Sequence, residues 1–566
     1  MQSWTIVFLA VAYIGLLFAV AAYGDWREKA RGQSNPRPFI YALSLAVYCT
    51  SWTFFGSVGV ASERGFEYLG IFIGPILMFT LGMPILRRMM RLSKAERITS
   101  VADFIASRYG KNARVAAICA MIAVIGTIPY IALQLKAIAE SAKLLTDHYD
   151  TFATVGVSRD LQISIFVTAM LSAFAILFGT RHADATEHQD GLILSVAAES
   201  LFKLVVFVAV GLAIVFMLFD GPGAVINAFN TDQRVLDALS AGTNSATWLV
   251  LTVLSASAII VLPRQFHVTF VENRSEDELR KAGWMLPLYL VVINIMVLPI
   301  AISGLLYVDS SMSSDMYLLA LPLAADNDFL AILTFIGGLS AATAMVIVAC
   351  VALAIMISND LVIPLIIRKM GDQLHTKSGD WANVILKVRR LAIVAVMVLA
   401  FCYHIISQDH IGLASIGLVS FAAIAQLTPA LLLGLFWRRG NARGAIFGMV
   451  GGFSVWAYTL LLPSILNQQA PLLLNGPFGL EFLRPEALFY FEALAINHGV
   501  MWSLGVNVVL YVIGSLSREA TSLERVQAIS FIPREQARYV ELKQFAYNVR
   551  NGDLRDTLAR YIGQER

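Results

Sequence analysis

The chain has 566 residues, 58% of them hydrophobic and 14% charged, with a net charge of +3 and a mean hydropathy of +0.70. That composition excludes a soluble enzyme built around a large core and describes a polytopic protein of the lipid bilayer. The small net charge gives no support for a nucleic-acid partner, and the four cysteines, Cys49, Cys119, Cys350 and Cys402, fall inside apolar runs without metal-ligand spacing, as small core residues do.

Runs of about 20 apolar residues mark membrane-crossing helices. About thirteen are present, at 4–23, 38–60, 69–90, 113–144, 161–178, 191–219, 248–266, 283–307, 329–357, 384–406, 411–437, 442–462 and 500–516. The first has no basic residue before it and Arg27, Lys29, Arg31 and Arg37 after it, which places the N-terminus outside. Ala19-Val20-Ala21 would also serve as a signal-peptide cleavage sequence, the other reading of that run. The clusters Arg87-Arg88-Arg91, 264–281, Arg368-Lys369, Arg389-Arg390, Arg438-Arg439-Arg443 and Arg518 fall in alternate connections, which predicts that these, and the C-terminus, are cytoplasmic. The opposite connections, 220–244, 309–328 and 467–497, are long and acidic or polar, and predict short helices or lids over an outer vestibule.

The second run contains Y-C-T-S-W-T-F-F-G-S-V-G at 48–59. Gly56 and Gly59 each cost about 1 kcal/mol of helix propensity relative to alanine, and Thr50, Ser51 and Thr53 can bond backbone groups freed by a break. An interrupted helix is therefore predicted. Non-helical backbone at membrane depth survives where it lines a protein-buried cavity, and secondary transporters hold substrate and ion at such breaks. Close packing through small residues is the competing explanation. Trp52 supplies an aromatic wall beside the break, and Gln134, polar in an apolar helix, must find a partner. Glu199 lies eight residues beyond Gly191, about 12 Å along its helix, with Lys203 one turn further. Intramembrane charges of this kind read as a self-neutralising i,i+4 pair, as a coupling group or as part of a cavity lining. His267 and His404 read as packing or interfacial residues.

The stretch R-I-T-S-V-A-D-F-I-A-S-R-Y-G at 97–110 has the form of a capped interfacial helix, with Thr99 or Ser100 at the N-cap, Asp103 in the first turn and Gly110 as the stop. It resembles the T-x-x-E-F-x-x-R-Y-G stretch of the solute:sodium symporter family, with Asp103 where that family usually has glutamate. P-Y-I-A-L-Q-L-K-A-I-A-E at 129–140 is similar to the family's Q-x-K-A helix, and L-P-R-Q-F-H-V-T-F-V-E-N at 262–273 to its glutamine-proline segment leading into a cytoplasmic loop. S-N-D-L at 358–361 is similar to the exit of its ion-site helix. More narrowly, S-W-T-F-F-G-S-V-G-V-A, L-P-R-Q-F-H and the tail from Arg518 resemble the symporter-like N-terminal module of CbrA-type bacterial sensor histidine kinases.

The resemblance implies an all-α membrane protein of about thirteen helices with a LeuT-like 5+5 inverted repeat, the second to sixth and seventh to eleventh helices forming the two halves, in a bacterial inner membrane. It implies a transmembrane domain at 1–516 and a cytoplasmic helical linker at 517–566, whose apolar spacing includes Val526, Ile529, Phe531, Leu542, Phe545 and Val549. The implied function is secondary active transport of a small amino acid, histidine leading, as the sensory module of a two-component protein with kinase modules as partners; the alternative is a transport-inactive receptor. All eight histidines lie at or before His498 and no Gly-rich ATP lid follows, so no kinase or other enzymatic activity is expected of this chain.

Carried onto this sequence, the family's substrate site would use Tyr48, Ser51, Trp52, Gly56 and Gln134. Its ion site would use backbone around Ala46 and Cys49 together with the ninth helix at Ala341 and Ala344. Ala344 and Met345 stand where family members usually supply hydroxyls. Ser340 and Thr343 are one or two positions out of register, and would reach the site only through a one-residue irregularity among Gly337, Gly338 and Ala341. Proton coupling, with Glu199 as acceptor, or ion-independent function is expected, with sodium as the alternative coupling ion; no other cofactor is expected.

Overall fold

The computed structural model describes residues 3–31, 36–149, 157–179, 189–219, 221–240, 244–370, 381–407, 412–467 and 469–532. Each of the thirteen apolar runs is helical over most of its described length, and the described residues contain no strand. Among them, nine helices are long and apolar enough to cross a membrane unaided, and two bent pairs raise this to eleven. The third and tenth runs complete the set. Gly82 divides the third into Gly70–Thr80 and Met83–Ala95, and Lys387, Arg389 and Arg390 interrupt the apolar character of Trp381–Ile406.

The ninth span, Asp328–Met356, forms the centre. A helix apolar on every side belongs inside a bundle, and every residue from Gly337 to Met356 is buried. It packs against the fourth (Ala113–Tyr149), fifth (Val157–Gly179), sixth (Asp190–Leu218) and tenth spans. Gly337 and Gly338 admit the rings of Phe54 and Phe55: a Cβ at either glycine would lie 2.7 Å or 2.4 Å from a ring carbon. The glycines thus seat the second span on the ninth. The helix is unbroken here, so the irregularity that would bring Ser340 or Thr343 into the expected ion-site register is absent.

The second span is interrupted, but earlier than its glycines suggest. Pro38–Ser44 runs into a 3-10 turn, Leu45–Tyr48, and Cys49 is extended (φ −77, ψ 104) before the chain recoils through a π turn, Trp52–Gly56, into Ser57–Arg64. Gly56 is helical, and a methyl there would meet Ala414 and Leu413 at an ordinary 3.6 Å. Gly59 serves close approach instead, since a Cβ would stand 2.2 Å from Asp315 Oδ1.

The seventh span corrects the sequence expectation of a continuous 248–266 helix. It is broken at Leu262 (φ −58, ψ 128), between Ser245–Val261 and Pro263–Phe266, and continues as the π turn His267–Val271. Pro263 has no N–H to continue the preceding helix and its ring fixes the start of the next. The first helices of the two five-helix halves are therefore both broken, as a LeuT-like inverted repeat requires. A further correction concerns Cys402, which is exposed on its helix while the other three cysteines are buried.

At the face carrying the basic connections lies the interfacial helix Val101–Arg108. Ser100 caps it by accepting from the Asp103 N–H at 3.0 Å, the Asp103 carboxylate accepts from the Thr99 N–H at 3.0 Å, and Gly110 ends it at φ +78. Arg108 donates to the Gly434 and Trp437 carbonyls at 2.6 and 3.0 Å, and the Tyr109 hydroxyl to Ala430 at 2.7 Å. Arg108 thus satisfies carbonyls orphaned at the end of Thr428–Phe436, while Tyr109 adds a second bond to a carbonyl inside it. The tail helix Ser522–Phe531 docks beside it, with Phe531 buried 5.5 Å from the Phe104 ring and the Ile532 carbonyl accepting from Arg438 at 2.7 Å. Val526 and Ile529 point outward, and Leu542, Phe545 and Val549 lie outside the described residues. The opposite connections hold short helices, among them Pro222–Thr231, Gln233–Ser240, Tyr317–Ala324 and Pro471–Asn475.

Candidate functional site

The break at Cys49 frees backbone groups that must be satisfied in a dry interior. Gln134 Oε1 accepts from the Ser51 N–H at 3.1 Å, while its amide donates to the Tyr130 carbonyl at 3.1 Å. Thr50 Oγ1 accepts from the Trp52 N–H at 3.3 Å and meets the Tyr130 hydroxyl at 2.9 Å. The remaining demand is for a cation-like donor on the carbonyl side. Lys203 supplies it: its Nζ donates to the Ala46 carbonyl at 2.9 Å and to the Cys49 carbonyl.

Lys203 and Glu199 do not form the self-neutralising pair that their spacing suggests. Glu199 Oε1 accepts from Thr343 Oγ1 at 2.6 Å and from the Tyr13 hydroxyl at 3.3 Å, and Ser340 Oγ donates to the Glu199 carbonyl at 3.3 Å. The two charged residues are each 1% exposed. The sixth span therefore presents a carboxylate to the first and ninth spans and an ammonium to the broken second span. Ala341 and Ala344 are buried in the ninth span, and the hydroxyls beside them are committed to Glu199.

Of the predicted substrate residues, Trp52 borders a cavity of about 1060 Å³ that opens toward the lid side and is also lined by Glu63, Lys136, Asp315, Ala414 and Thr459. The Trp52 indole N–H donates to the Ala414 carbonyl at 3.2 Å. Tyr48 and Gln134 do not line this cavity: the Tyr48 hydroxyl donates to the Ile71 carbonyl at 2.8 Å, and Gln134 is spent on the break. Gly56 packs against Leu413 and Ala414, and Ser51 Oγ is buried without a hydrogen-bond partner. Asp315, on the short turn Ser314–Met316, caps Leu413–Ala425 by accepting from the Leu413 N–H at 2.8 Å. Burial pushes its carboxyl up to about 6, Glu63 adding to the rise and the Leu413 N–H and Lys136 opposing it.

Two residues escaped the sequence reading in their roles. Tyr13 comes from the first span, outside both repeats, and nothing in its neighbourhood marks it. Arg264 was grouped with a cytoplasmic basic cluster, yet it is 1% exposed at the second break, its guanidinium 4.5 Å from the centroid of the Tyr130 ring. Pro263 was the available signal. Among the described residues no three His, Cys, Asp or Glu side chains group as a metal site.

Two broken helices opening paired five-helix halves, around a buried polar node, define the class: a multi-pass membrane protein of the secondary-transporter fold. The similarities found lie within that class. The chain is 22% identical over 424 residues to the uncharacterized symporter YodF of Bacillus subtilis, covering 74% of this chain and 78% of that one. It is 22% identical over 498 residues to the uncharacterized symporter YwcA of the same organism, covering 84% and 90%. The solved structure of a Na+-coupled sialic acid symporter, in a substrate-bound outward-open state, superposes with a TM-score of 0.59 at 16% identity, over 90% of this chain and 98% of that one. No family model matches the chain. These relatives support secondary active transport; they do not extend to the narrower sensor-kinase resemblance.

Proposed function

We propose that this chain is a secondary active transporter for a small amino acid, histidine leading, coupled to protons and not to sodium at the broken helix. The observation that carries the coupling is Lys203, whose ammonium donates to the Ala46 and Cys49 carbonyls, the oxygens that the symporter resemblance would give to an ion. Sodium needs several hard oxygen ligands. Here two of those expected are taken by a tethered cation, and a second cation a few ångströms away would meet a repulsion of about 4 kcal/mol even at an effective dielectric of 20. Glu199, one turn away and engaged by Thr343 and Tyr13, is the acceptor for the transported proton in this reading. The amino-acid substrate follows from the sequence resemblance, and the tail helix docked on the interfacial helix is the element that would hand a conformational change to kinase modules.

The test is uptake of radiolabelled L-histidine into proteoliposomes, first with sodium replaced by choline and then with a protonophore. Uptake that persists in choline and collapses with the protonophore is expected. Loss in choline with indifference to the protonophore overturns the coupling assignment, and binding without accumulation leaves the transport-inactive receptor as the function.

A further inference from the structure

We infer that Arg264 is the anchor for a carboxylate of the transported solute, an assignment that rests on the transport reading above. Arg264 stands one residue after Pro263, at the break of the seventh span. Its Nε, Nη1 and Nη2 are buried without a well-formed hydrogen bond, the Tyr130 hydroxyl being the polar group beside them, and among the described residues no carboxylate pairs with the guanidinium. What it does have is the face of Tyr130, 4.5 Å away. A cation–π contact of this kind offsets only part of what burial of a lone guanidinium costs.

Arg264 lies behind the cavity that Trp52 borders and does not line it, and its neighbours place it between the two breaks. Tyr130 ties Arg264 to the first break, because its hydroxyl meets Thr50 Oγ1 at 2.9 Å and its carbonyl holds Gln134, which in turn accepts from the Ser51 N–H. Gln265, the next residue, donates to the Leu45 carbonyl at 3.2 Å and so joins the second break to the first directly. Ser51 Oγ, a further buried donor without a partner, belongs to the same break. Glu199, the fixed anion of this region, is already engaged by Thr343 and Tyr13. Lys203 adds a second cation on the first break. A planar guanidinium with its fork of donors unspent matches a carboxylate bidentately, which a point charge such as lysine does not. The free energy withheld from folding by the unpaired Arg264 is returned when the solute's carboxylate arrives, which makes the group a specificity device: a solute without the anion leaves the guanidinium buried and alone.

The experiment is a thermal-shift titration of the full chain in detergent with the twenty amino acids and with acetate, propionate and lactate, followed by the amide of whichever acid stabilises it; L-histidine and L-histidinamide are the first pair. The acid is expected to bind at least tenfold more tightly than its amide. Arg264→Gln is expected to lose the acid by a similar factor, with Arg264→Lys intermediate. Equal affinity for acid and amide in the wild type overturns the assignment without any variant, and so does a folded Arg264→Gln protein with unchanged affinity. A monocarboxylate that binds in an Arg264-dependent way, with no amino acid binding, keeps the site and overturns the amino-acid reading. No shift from any carboxylate overturns the site.

Discussion

Lys203 ties the sixth span to the break in the second by donating to the Ala46 and Cys49 carbonyls. One turn from Glu199, it satisfies the spacing of a helical ion pair, but the side chains diverge because the break at Cys49 offers two carbonyls in a medium without water. Removing the ammonium strands those acceptors at about 1–3 kcal/mol each. Lys203→Ala is accordingly expected to melt well below the wild type in choline chloride and to recover part of the loss in sodium chloride, as a free cation enters the vacated position. A variant that responds equally to both salts would remove Lys203 from this role. Gln134→Leu strands the Ser51 N–H and is expected to lose about 1–3 kcal/mol; comparison of its unfolding midpoint with that of the wild type checks it.

At the scale of elements, the glycines divide by what approaches them. Gly338 faces the Phe55 ring at a distance that leaves no space for a methyl. Overpacking of this kind costs about 1–3 kcal/mol, and Gly338→Ala is expected to lower both melting temperature and uptake by pushing the second span off the ninth. Gly56→Ala, with ordinary space around it, is expected to change neither much. The lid turn Ser314–Met316 adds a pH dependence. Burial raises the Asp315 carboxyl from its ordinary 3.8 to about 6, so the stability it contributes is fully present below its ordinary value and is lost as pH rises toward 6. Between pH 7 and 4.5 the melting temperature of the wild type should therefore gain on that of Asp315→Asn. A difference that stays constant over this range would show that Asp315 titrates normally.

Across the whole molecule, rings connect the second break to the tail. Phe266, two residues beyond Arg264, lies 5.8 Å from Phe104 on the interfacial helix, and Phe104 lies 5.5 Å from Phe531 on the tail helix. The tail helix is further held by Arg88 and Arg438, which donate to carbonyls at its end, and by Glu524, which accepts from the Ala442 N–H at 3.1 Å. Truncating a buried phenylalanine costs about 3–5 kcal/mol. Phe104→Ala is expected to speed amide hydrogen exchange across 522–532 while leaving Asp328–Met356 protected. Unchanged exchange in the tail would mean that the polar contacts alone dock it.

That this is a polytopic membrane protein, where its spans lie, that the second is interrupted near residue 50 and that 97–110 forms a capped interfacial helix were all legible from the residues alone. Those properties follow from run length, charge position and local capping chemistry, all carried by neighbours in the chain. The sequence also brought Glu199, Lys203, Gln134 and Trp52 forward, because polar groups in apolar runs are conspicuous. What each of them bonds was decided only by the tertiary structure, since Lys203 reaches residues 154 and 157 positions away and Gln134 one 83 positions away. The break at Leu262 and the burial of Arg264 were hidden for a related reason. A basic residue after a proline reads as the start of a connection, and only the packing of the seventh span against the second turns that connection into the interior of the bundle.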